Sequence, residues 1–267
     1  MNKVVLITGA SSGIGKALAI HAAKNDFSLG IMARSSEMLE ASATICKSFG
    51  VDVCSVQGDV SINDDCKRFV ATCVDRFGRI DILINNAGIS MRGIFAHTET
   101  SVLAKLMDTN FWGTVYCTKH ALPYLLRTNG SVVGISSIAG FKGLPARTGY
   151  SASKFAMQGF LEGLRCENIK NGLHVLIVCP GYTESNIRKT ALNSEGNPQN
   201  ETPLDETKLM SAEAVAEATW KAIKHKKLYL ILTLQGKLAI LINKFFPKLA
   251  DLLTYNTIKK EPNSPFK

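Results

Sequence analysis

Tyr150 and Lys154 occupy positions i and i+4 in the run Y-S-A-S-K, which places both side chains on one face of a helix. A free phenol ionises with a pKa of about 10, and a nearby ammonium group favours the ionised form. We therefore predict that Lys154 lowers the pKa of Tyr150 toward neutrality. A phenol tuned in this way can donate its proton to a carbonyl oxygen while hydride arrives at the carbon.

Two further polar residues complete a candidate catalytic group. Ser137 follows a predicted strand in the run G-I-S-S-I-A-G, where its hydroxyl can hydrogen-bond the same carbonyl oxygen and stabilise the developing charge. Ser136 is expected to point to the opposite side of the strand. Asn110 lies within a predicted helix, although an amide is an indifferent helix former, and it could hold a water that returns the proton to Tyr150.

The run T-G-A-S-S-G-I-G joins the first predicted strand to a helix. Glycines in such a turn let backbone N–H groups approach a pyrophosphate, which the positive end of the helix attracts. A purely structural turn is the alternative interpretation. The pattern predicts dinucleotide contacts from Gly9, Ser11, Ser12, Gly13, Ile14 and Gly15.

The end of the second predicted strand favours NADP(H) over NAD(H). Arg34 and Ser35 stand where NAD sites usually carry an acid, and a guanidinium suits a ribose 2′-phosphate. Stacking of Arg34 on the adenine without selection is the alternative. Ligands of open α/β sheets bind at the carboxyl ends of strands. That rule adds Asp59, Val60, Asn86, Ala87 and Gly88 to the cofactor site. Lys154, on one helix face with Tyr150, adds donors that can hold the nicotinamide ribose.

Apolar runs of strand length alternate with helical patterns along the whole chain. Such runs predict a parallel sheet covered by helices on both faces. The predicted strands are 4–7, 29–32, 53–57, 82–84, 132–135, 175–178 and, as a seventh candidate, 228–232. The stretch 101–126 is predicted to be helical throughout. The fold class is therefore a doubly wound, three-layer α/β/α domain that spans 1–267.

Length and composition support one domain with a large core, since the chain has 267 residues, 46% of them hydrophobic. Its seven cysteines have no zinc-like spacing, so no metal site is expected and a reducing compartment is favoured. The chain starts directly as a strand, with no secretory pattern, which favours a cytoplasmic protein. The polar stretch 186–207 is predicted to be a substrate lid, with an ordinary surface loop as the alternative.

The net charge of +9 is concentrated near the end of the chain. Residues 221–260 contain nine lysines and a single acid, Asp251. The near-neutral remainder argues against a nucleic-acid groove. Within the extension 233–267, apolar residues at helical spacing lie opposite lysines, and Pro247 should break the helix. The pattern predicts peripheral contact with an anionic membrane, and docking on the protein or at a subunit interface is the alternative.

These motifs, in this order, resemble the short-chain dehydrogenase/reductase family over roughly residues 3–190. The resemblance implies one Rossmann-like domain with a seven-stranded parallel sheet, a homodimer or homotetramer, and hydride transfer. It also implies that Asn110, Ser137, Tyr150 and Lys154 form the catalytic tetrad. The resemblance also adds Pro180 and Gly181 to the cofactor site. The run that follows them, Y-T-E-S-N, departs from the usual family pattern, but Thr183 and Ser185 occupy the positions that usually touch the carboxamide of the cofactor.

The predicted substrate walls are mostly apolar and also contain arginines. An arginine there could grip an anionic group on a lipophilic ketone, while solvated loop charges are the alternative. Several stretches resemble a branch of membrane-associated lipid-ketone reductases that includes acyl- and alkyl-dihydroxyacetone-phosphate reductase, and resemble 3-ketosphinganine reductases more weakly. The candidate substrate residues are Arg92, Phe141, Leu144, Arg147 and Arg188.

The leading hypothesis is an NADP(H)-dependent oxidoreductase that interconverts a ketone and a secondary alcohol on a lipophilic small molecule. A non-catalytic NADP(H) sensor is the main alternative, although such relatives usually lack the tyrosine or the lysine. A sugar-nucleotide epimerase is disfavoured, because the chain after Pro180 is too short for the usual substrate domain.

Overall fold

A computed structural model describes residues 2–183, 186–200 and 209–266. Its centre is a seven-stranded sheet in the order β3-β2-β1-β4-β5-β6-β7. The strands are β1 (Val4–Thr8), β2 (Ser28–Ala33), β3 (Val53–Gln57), β4 (Ile82–Asn85), β5 (Ser131–Ile135), β6 (His174–Cys179) and β7 (Tyr229–Ile231). Neighbouring strands pair in parallel; Val5, for example, lies beside Leu29 on one side and Ile82 on the other.

Helices cover both faces of the sheet. They are α1 (Gly13–Ala23), α2 (Ser36–Lys47), α3 (Asn63–Phe77), α4 (Thr100–Leu106), α5 (Gly113–Arg127), α6 (Thr148–Glu167), α7 (Ala212–Lys224), α8 (Leu234–Phe245) and α9 (Pro247–Lys259). One buried cluster packs α1, α2 and α7 against the sheet, and a second packs α3, α5 and α6 against the other face. The predicted Rossmann-like, three-layer fold with a seven-stranded parallel sheet is confirmed. Continuous apolar strands, buried on both faces, explain why the sequence predicted it.

The stretch predicted as one long helix is interrupted. A π-helical turn, Met107–Trp112, separates α4 from α5. Extra residues in such a turn change the direction in which side chains leave the helix, and these turns are frequent at functional sites. Asn110 lies in the middle of this turn.

The tail forms two helices that meet at the predicted break. α8 ends at Phe245 and α9 begins at Pro247, because proline fits the first turn of a helix but not its interior. Ala250 and Ile258 of α9 are buried, whereas most large apolar side chains of the two helices are exposed. In the described part of the chain, no helix combines the length and hydropathy needed to cross a membrane.

The stretch predicted as a lid is described in its first part only, and 201–207 lies outside the described residues. The described part is hydrogen-bonded to the segment after β4. Arg92 N donates to Leu192 O at 2.8 Å, and Leu192 N donates to Ser90 O at 2.9 Å. These bonds place the segment over the carboxyl end of the sheet.

Candidate active site

A cleft of about 500 Å³ runs along the carboxyl ends of β1 to β6. Most of the residues predicted from sequence line this one cleft, although they come from many separate segments. They are Gly9, Ser11, Ser12, Gly13, Ile14, Gly15, Arg34, Ser35, Asp59, Val60, Asn86, Ala87, Gly88, Ser137, Leu144, Arg147, Tyr150, Lys154, Pro180, Gly181, Thr183 and Arg188. Ser185 lies outside the described residues.

The turn between β1 and α1 is held so tightly that only glycine fits at key positions. Gly9 has φ 66° and Gly13 has φ 51°, in the left-handed region. A Cβ at Gly15 would lie 2.2 Å from Gly9 O and 2.4 Å from Asn86 Nδ2. Asn86 braces the turn, since its Nδ2 donates to Thr8 O at 2.9 Å and to Gly9 O at 3.1 Å.

This cradle fits the pyrophosphate of a dinucleotide. A bare backbone lines the cleft there, and α1 begins at its wall with Ser12 and Gly13. The partial positive charge of a helix N-terminus favours an anion at that place. The same cleft also reaches Tyr150 and Lys154, so one elongated ligand can extend from the cradle to these side chains.

At the adenosine end, Arg34 is exposed and its side chain is placed at the cleft wall. Ser35 caps α2, with its Oγ accepting from Met38 N at 3.4 Å. Asp59 Oδ1 accepts from both the N and the Oγ of Ser61, at 2.9 Å and 2.8 Å. The turn after β3 therefore has a fixed shape, with one carboxylate oxygen of Asp59 engaged.

Lys154 is 3% exposed, and its Nζ donates to Ile135 O at 2.8 Å. Burial lowers the pKa of Lys154 to about 8. Its Nζ lies 5.9 Å from the centroid of the Tyr150 ring. The ammonium group is thus held at the cleft wall by a backbone carbonyl, with its charge near the phenol.

The prediction that the pKa of Tyr150 is lowered toward neutrality is wrong for the protein chain by itself. Burial raises the pKa of Tyr150 above its ordinary value, and the negative charge of the Cys179 thiolate form acts in the same direction. A hydrogen bond from Ser137 and the charge of Arg147 act in the opposite direction and lower it. Desolvation disfavours a phenolate more than these partners favour it.

Ser137 faces Tyr150, as predicted, while Ser136 belongs to a separate buried network. Gln158 Nε2 donates to Ser136 Oγ at 2.8 Å, whereas Ser137 lines the cleft together with Tyr150 and acts to lower the pKa of its phenol. Ser137 Oγ also accepts from Ala139 N at 3.1 Å, which fixes the side chain at the end of β5. These contacts favour Ser137 as the hydroxyl available to a substrate oxygen.

Asn110 is fully buried behind the cleft rather than on its wall. Its Oδ1 accepts from Ile89 N at 2.8 Å, and its Nδ2 donates to Ile89 O at 2.9 Å and to Ser153 Oγ at 2.8 Å. Both N–H donors of the amide are therefore used. A water held by this side chain would have to donate to the second lone pair of Oδ1.

Three of the predicted substrate residues contact the tail of the chain. Arg147 Nη2 lies 3.1 Å from Glu261 Oε1 and 2.8 Å from Glu261 Oε2. Arg92 Nη2 lies 3.4 Å from Glu261 Oε2 and donates to Pro262 O at 2.7 Å. Phe141 lies under α8, where its O accepts from Asn243 Nδ2 at 3.0 Å. Arg92 and Phe141 do not line the cleft, whereas Arg147, Leu144 and Arg188 do.

Sequence reasoning missed Glu261, Tyr182 and Thr190. Tyr182 and Thr190 line the cleft and lie within or next to the predicted loop after β6, so proximity to that loop was an available signal. Glu261 had no such signal, because more than one hundred positions separate it from Arg147. Among the residues that the structure describes, no cluster of histidine, cysteine or acidic side chains could hold a metal ion.

Comparison with known proteins gives the family of the chain. The family model described as short chain dehydrogenase matches residues 3–196. The protein 11-beta-hydroxysteroid dehydrogenase-like 4A of Arabidopsis thaliana is 41% identical over 215 residues, which are 80% of this chain and 72% of that protein. 11-beta-hydroxysteroid dehydrogenase 1A of the same plant is 45% identical over 187 residues, which are 69% of this chain but only 53% of that protein.

Solved structures share the fold. A short-chain dehydrogenase from Streptomyces avermitilis has a TM-score of 0.81 at 27% identity, covering 97% of this chain and 98% of the other. An alcohol dehydrogenase from Thermococcus sibiricus, complexed with 5-hydroxy-NADP, has a TM-score of 0.75 at 25% identity, covering 86% and 94%. A Burkholderia phymatum enzyme, complexed with NAD, has a TM-score of 0.82 at 22% identity, covering 93% and 95%, and shows the fold alone.

The chain therefore belongs to the short-chain dehydrogenase/reductase family, whose members are oxidoreductases of alcohol and ketone groups. The solved neighbours were determined with NAD in one case and an NADP derivative in another, and thus do not distinguish the two cofactors.

Proposed function

We propose that the protein is an NADP(H)-dependent oxidoreductase that interconverts a ketone and a secondary alcohol on a lipophilic small molecule. The observation that carries the proposal is the shared cleft. Tyr150, Ser137 and Lys154 line the same cleft as the glycine cradle of Gly9 and Gly15. A reacting group at the phenol and a dinucleotide in the cradle can therefore meet in one space.

A nicotinamide cofactor bound in the cleft would supply the hydride in reduction and accept it in oxidation. Tyr150 donates its proton to the carbonyl oxygen, and Ser137 hydrogen-bonds the same oxygen. Lys154, held by Ile135 O, contributes a positive charge that stabilises the phenolate once the proton has left. The raised pKa of Tyr150 keeps the phenol protonated at neutral pH, which suits the acid role in ketone reduction.

The residues at the adenosine end support NADP(H). Arg34 is an exposed guanidinium at the end of β2, beside the hydroxyl-bearing Ser35 at the start of α2. A 2′-phosphate there would meet a bidentate donor and the N-terminus of a helix, whereas a ribose hydroxyl would find no carboxylate at either position. We therefore propose that the cofactor is NADP(H) rather than NAD(H).

Two lipid classes are candidates for the substrate. The sequence resembles lipid-ketone reductases of the dihydroxyacetone-phosphate type, whereas the curated relatives are called hydroxysteroid dehydrogenases. Both classes are lipophilic ketones or alcohols. Leu144 and Ile89 provide apolar wall near the phenol, which supports a lipophilic substrate without choosing between the classes.

The tail supports peripheral contact with an anionic membrane. Its exposed apolar side chains include Leu238, Leu241, Phe245, Phe246, Leu249 and Leu252. Lys237, Lys244 and Lys248 lie in the same helices. An amphipathic basic surface of this kind binds anionic lipid through apolar burial and charge. We propose a cytoplasmic protein that reaches the membrane surface through α8 and α9, and that forms a homodimer or homotetramer as its family does.

The test measures NADPH and NADH oxidation with a panel of ketones presented in anionic vesicles. The panel contains a steroid ketone, a 3-ketosphingoid base and an acyl-dihydroxyacetone phosphate. Ketone-dependent oxidation of NADPH, faster than that of NADH, is the expected result. If no ketone or secondary alcohol is turned over while NADPH still binds, the protein is a dinucleotide sensor and the proposed activity is wrong.

The membrane contact is tested separately by sedimentation with anionic and neutral vesicles. The variant Leu241→Ser/Phe245→Ser should lose binding to anionic vesicles, because two exposed apolar side chains of α8 become polar. The matched control Phe49→Ser/Ile62→Ser changes two exposed apolar side chains outside the tail and should keep it. Equal loss in both variants would contradict the proposed surface, and analytical ultracentrifugation of the same samples gives the oligomeric state.

A further inference from the structure

The C-terminal segment after α9 returns to the mouth of the cleft, where Glu261 forms ion pairs with two arginines. Glu261 is 6% exposed and lies between the guanidinium groups of Arg92 and Arg147. The side chains of these arginines are 10% and 13% exposed. The three ionic groups form one largely buried cluster, which we call the entrance triad. Buried ions of this kind are costly unless they are paired.

The arrangement is that of an anion site filled by the chain itself. Both carboxylate oxygens of Glu261 accept from Arg147 Nη2, at 3.1 Å and 2.8 Å, and Oε2 is also 3.4 Å from Arg92 Nη2. A pair of converging guanidinium groups is a general binding site for a carboxylate or a phosphate. An anionic group on a substrate would have to compete with Glu261 for these donors.

The triad is coupled to the reacting end of the cleft. Arg147 lines the cleft and is the N-cap residue of α6, the helix that carries Tyr150 and Lys154. Its charge is close enough to lower the pKa of Tyr150, in opposition to burial. The electrostatic potential at the triad therefore acts on whatever group lies beside Leu144 and Tyr150.

We propose that Glu261 is a specificity-determining residue, whose carboxylate occupies the anion position between Arg92 and Arg147 so that the cleft prefers an uncharged lipophilic substrate to its carboxylate analogue. This inference rests on the proposed ketone reduction and narrows its substrate class. It predicts that phosphorylated ketones are poorer substrates than neutral ketones. Loss of the Glu261 charge would leave two guanidinium groups at the entrance and open the position to an anion.

The experiment compares a keto fatty acid with its methyl ester, since the two share one carbonyl and differ in a single charge. The quantity measured is the ratio of kcat/KM for the acid to kcat/KM for the ester. Glu261→Gln should raise the ratio by about tenfold or more, because one unit charge changes at close range in a poorly solvated site. Arg92→Gln should change the ratio in the opposite direction, because Arg92 is removed while Glu261 stays.

Asp251→Asn is the matched control. Asp251 pairs the tail with Lys142 but is 70% exposed and lies outside the main cleft, so its ratio should equal that of the wild type. An unchanged ratio in folded Glu261→Gln overturns the inference, even if both activities fall. If Glu261→Gln does not fold, the test rests on Arg92→Gln. An unchanged ratio of the two kcat/KM values in Arg92→Gln would then overturn the inference.

A binding measurement separates this inference from the proposed function. Calorimetry gives dissociation constants for a secondary hydroxy fatty acid and its methyl ester, which require no turnover. A shift of their ratio in Glu261→Gln, in a protein that reduces no ketone, would support the entrance triad and contradict the proposed activity. Turnover of the ester with no shift in either ratio would support the activity and contradict the triad.

Discussion

Asn110 and Ile89 exchange two hydrogen bonds: Ile89 N donates to Asn110 Oδ1 at 2.8 Å, and Asn110 Nδ2 donates to Ile89 O at 2.9 Å. The second N–H of the amide donates to Ser153 Oγ at 2.8 Å. One buried side chain thus ties the segment after β4 to α6. Because Gly88 precedes that segment and Tyr150 lies on α6, Asn110 sets the spacing of two cleft walls.

Replacement of Asn110 by Ala should lower the free energy of unfolding by about 1–3 kcal/mol, since buried partners on Ile89 and Ser153 lose their hydrogen bonds. Denaturant titration measures the change. Asn197→Ala, at an exposed position, should alter the free energy of unfolding by no more than about 0.5 kcal/mol. Equal stability of the two variants would show that the bridge contributes nothing.

Gly15→Ala should abolish dinucleotide binding. The new Cβ would lie 2.2 Å from Gly9 O, so the turn must move away from its present shape. Gly159→Ala is the matched control, because it lies in α6 and its Cβ position has no atom within 4 Å apart from its chain neighbours and the nearby backbone of the same helix. That variant should bind NADPH normally and gain helix stability. Titration of NADPH fluorescence checks both, and normal binding by Gly15→Ala would contradict the proposed cradle.

Arg34→Asp should shift cofactor preference from NADPH toward NADH. The guanidinium that suits a 2′-phosphate is replaced by a carboxylate that repels it and can accept from a ribose hydroxyl. We expect the dissociation constant for NADPH to rise by about tenfold or more. Lys47→Asp makes the same charge change at the last residue of α2, outside the cleft. If the two variants lose NADPH affinity equally, Arg34 does not select the cofactor.

The buried Lys154 should make stability depend on pH in a defined direction. Its pKa is about 8 in the folded chain, lowered by burial from 10.5. Between these values the unfolded chain binds more protons, so the free energy of unfolding rises with pH there. From about pH 8 to about pH 10 the rise due to Lys154 is about 2–3 kcal/mol. Below pH 8 Lys154 is protonated in both the folded and the unfolded chain, so it adds no pH dependence to the free energy of unfolding there.

Urea titrations at these two pH values, without added dinucleotide, check the contribution of Lys154. Lys154→Met should show a smaller rise in the free energy of unfolding than the wild type, because the titrating group is gone. Lys47→Met, at an exposed position of α2, should show the wild-type rise. An identical pH dependence in Lys154→Met would contradict the lowered pKa.

Sequence reasoning predicted the fold well because the fold follows from local patterns. Continuous apolar strands alternating with helices define a covered parallel sheet, and the sheet brings the ends of β1 and β5 to one edge. The glycine turn and Tyr150 therefore meet in one cleft, although their separation along the chain is large.

Three features of the structure could not be predicted from the spacing of residues in the sequence, because they depend on energy balances or on contacts between distant residues. The π-helical turn around Asn110 interrupts a pattern that is helical on either side. The pKa of Tyr150 depends on how deeply the phenol is buried. Glu261 reaches Arg147 only because α8 and α9 bring the end of the chain back to the cleft that Arg147 lines. Sequence periodicity predicts which face of a single helix or strand is apolar. It does not predict which part of the fold the C-terminal segment contacts.

Tyr150→Phe tests the central claim most directly. The phenylalanine keeps the ring in its buried site and removes only the hydroxyl that we propose as the proton donor. Ketone-dependent NADPH oxidation should fall by about 10²–10⁴-fold, while the dissociation constant for NADPH, measured by fluorescence, stays at the wild-type value. Turnover that persists at the wild-type rate in Tyr150→Phe would show that this phenol is not the proton donor.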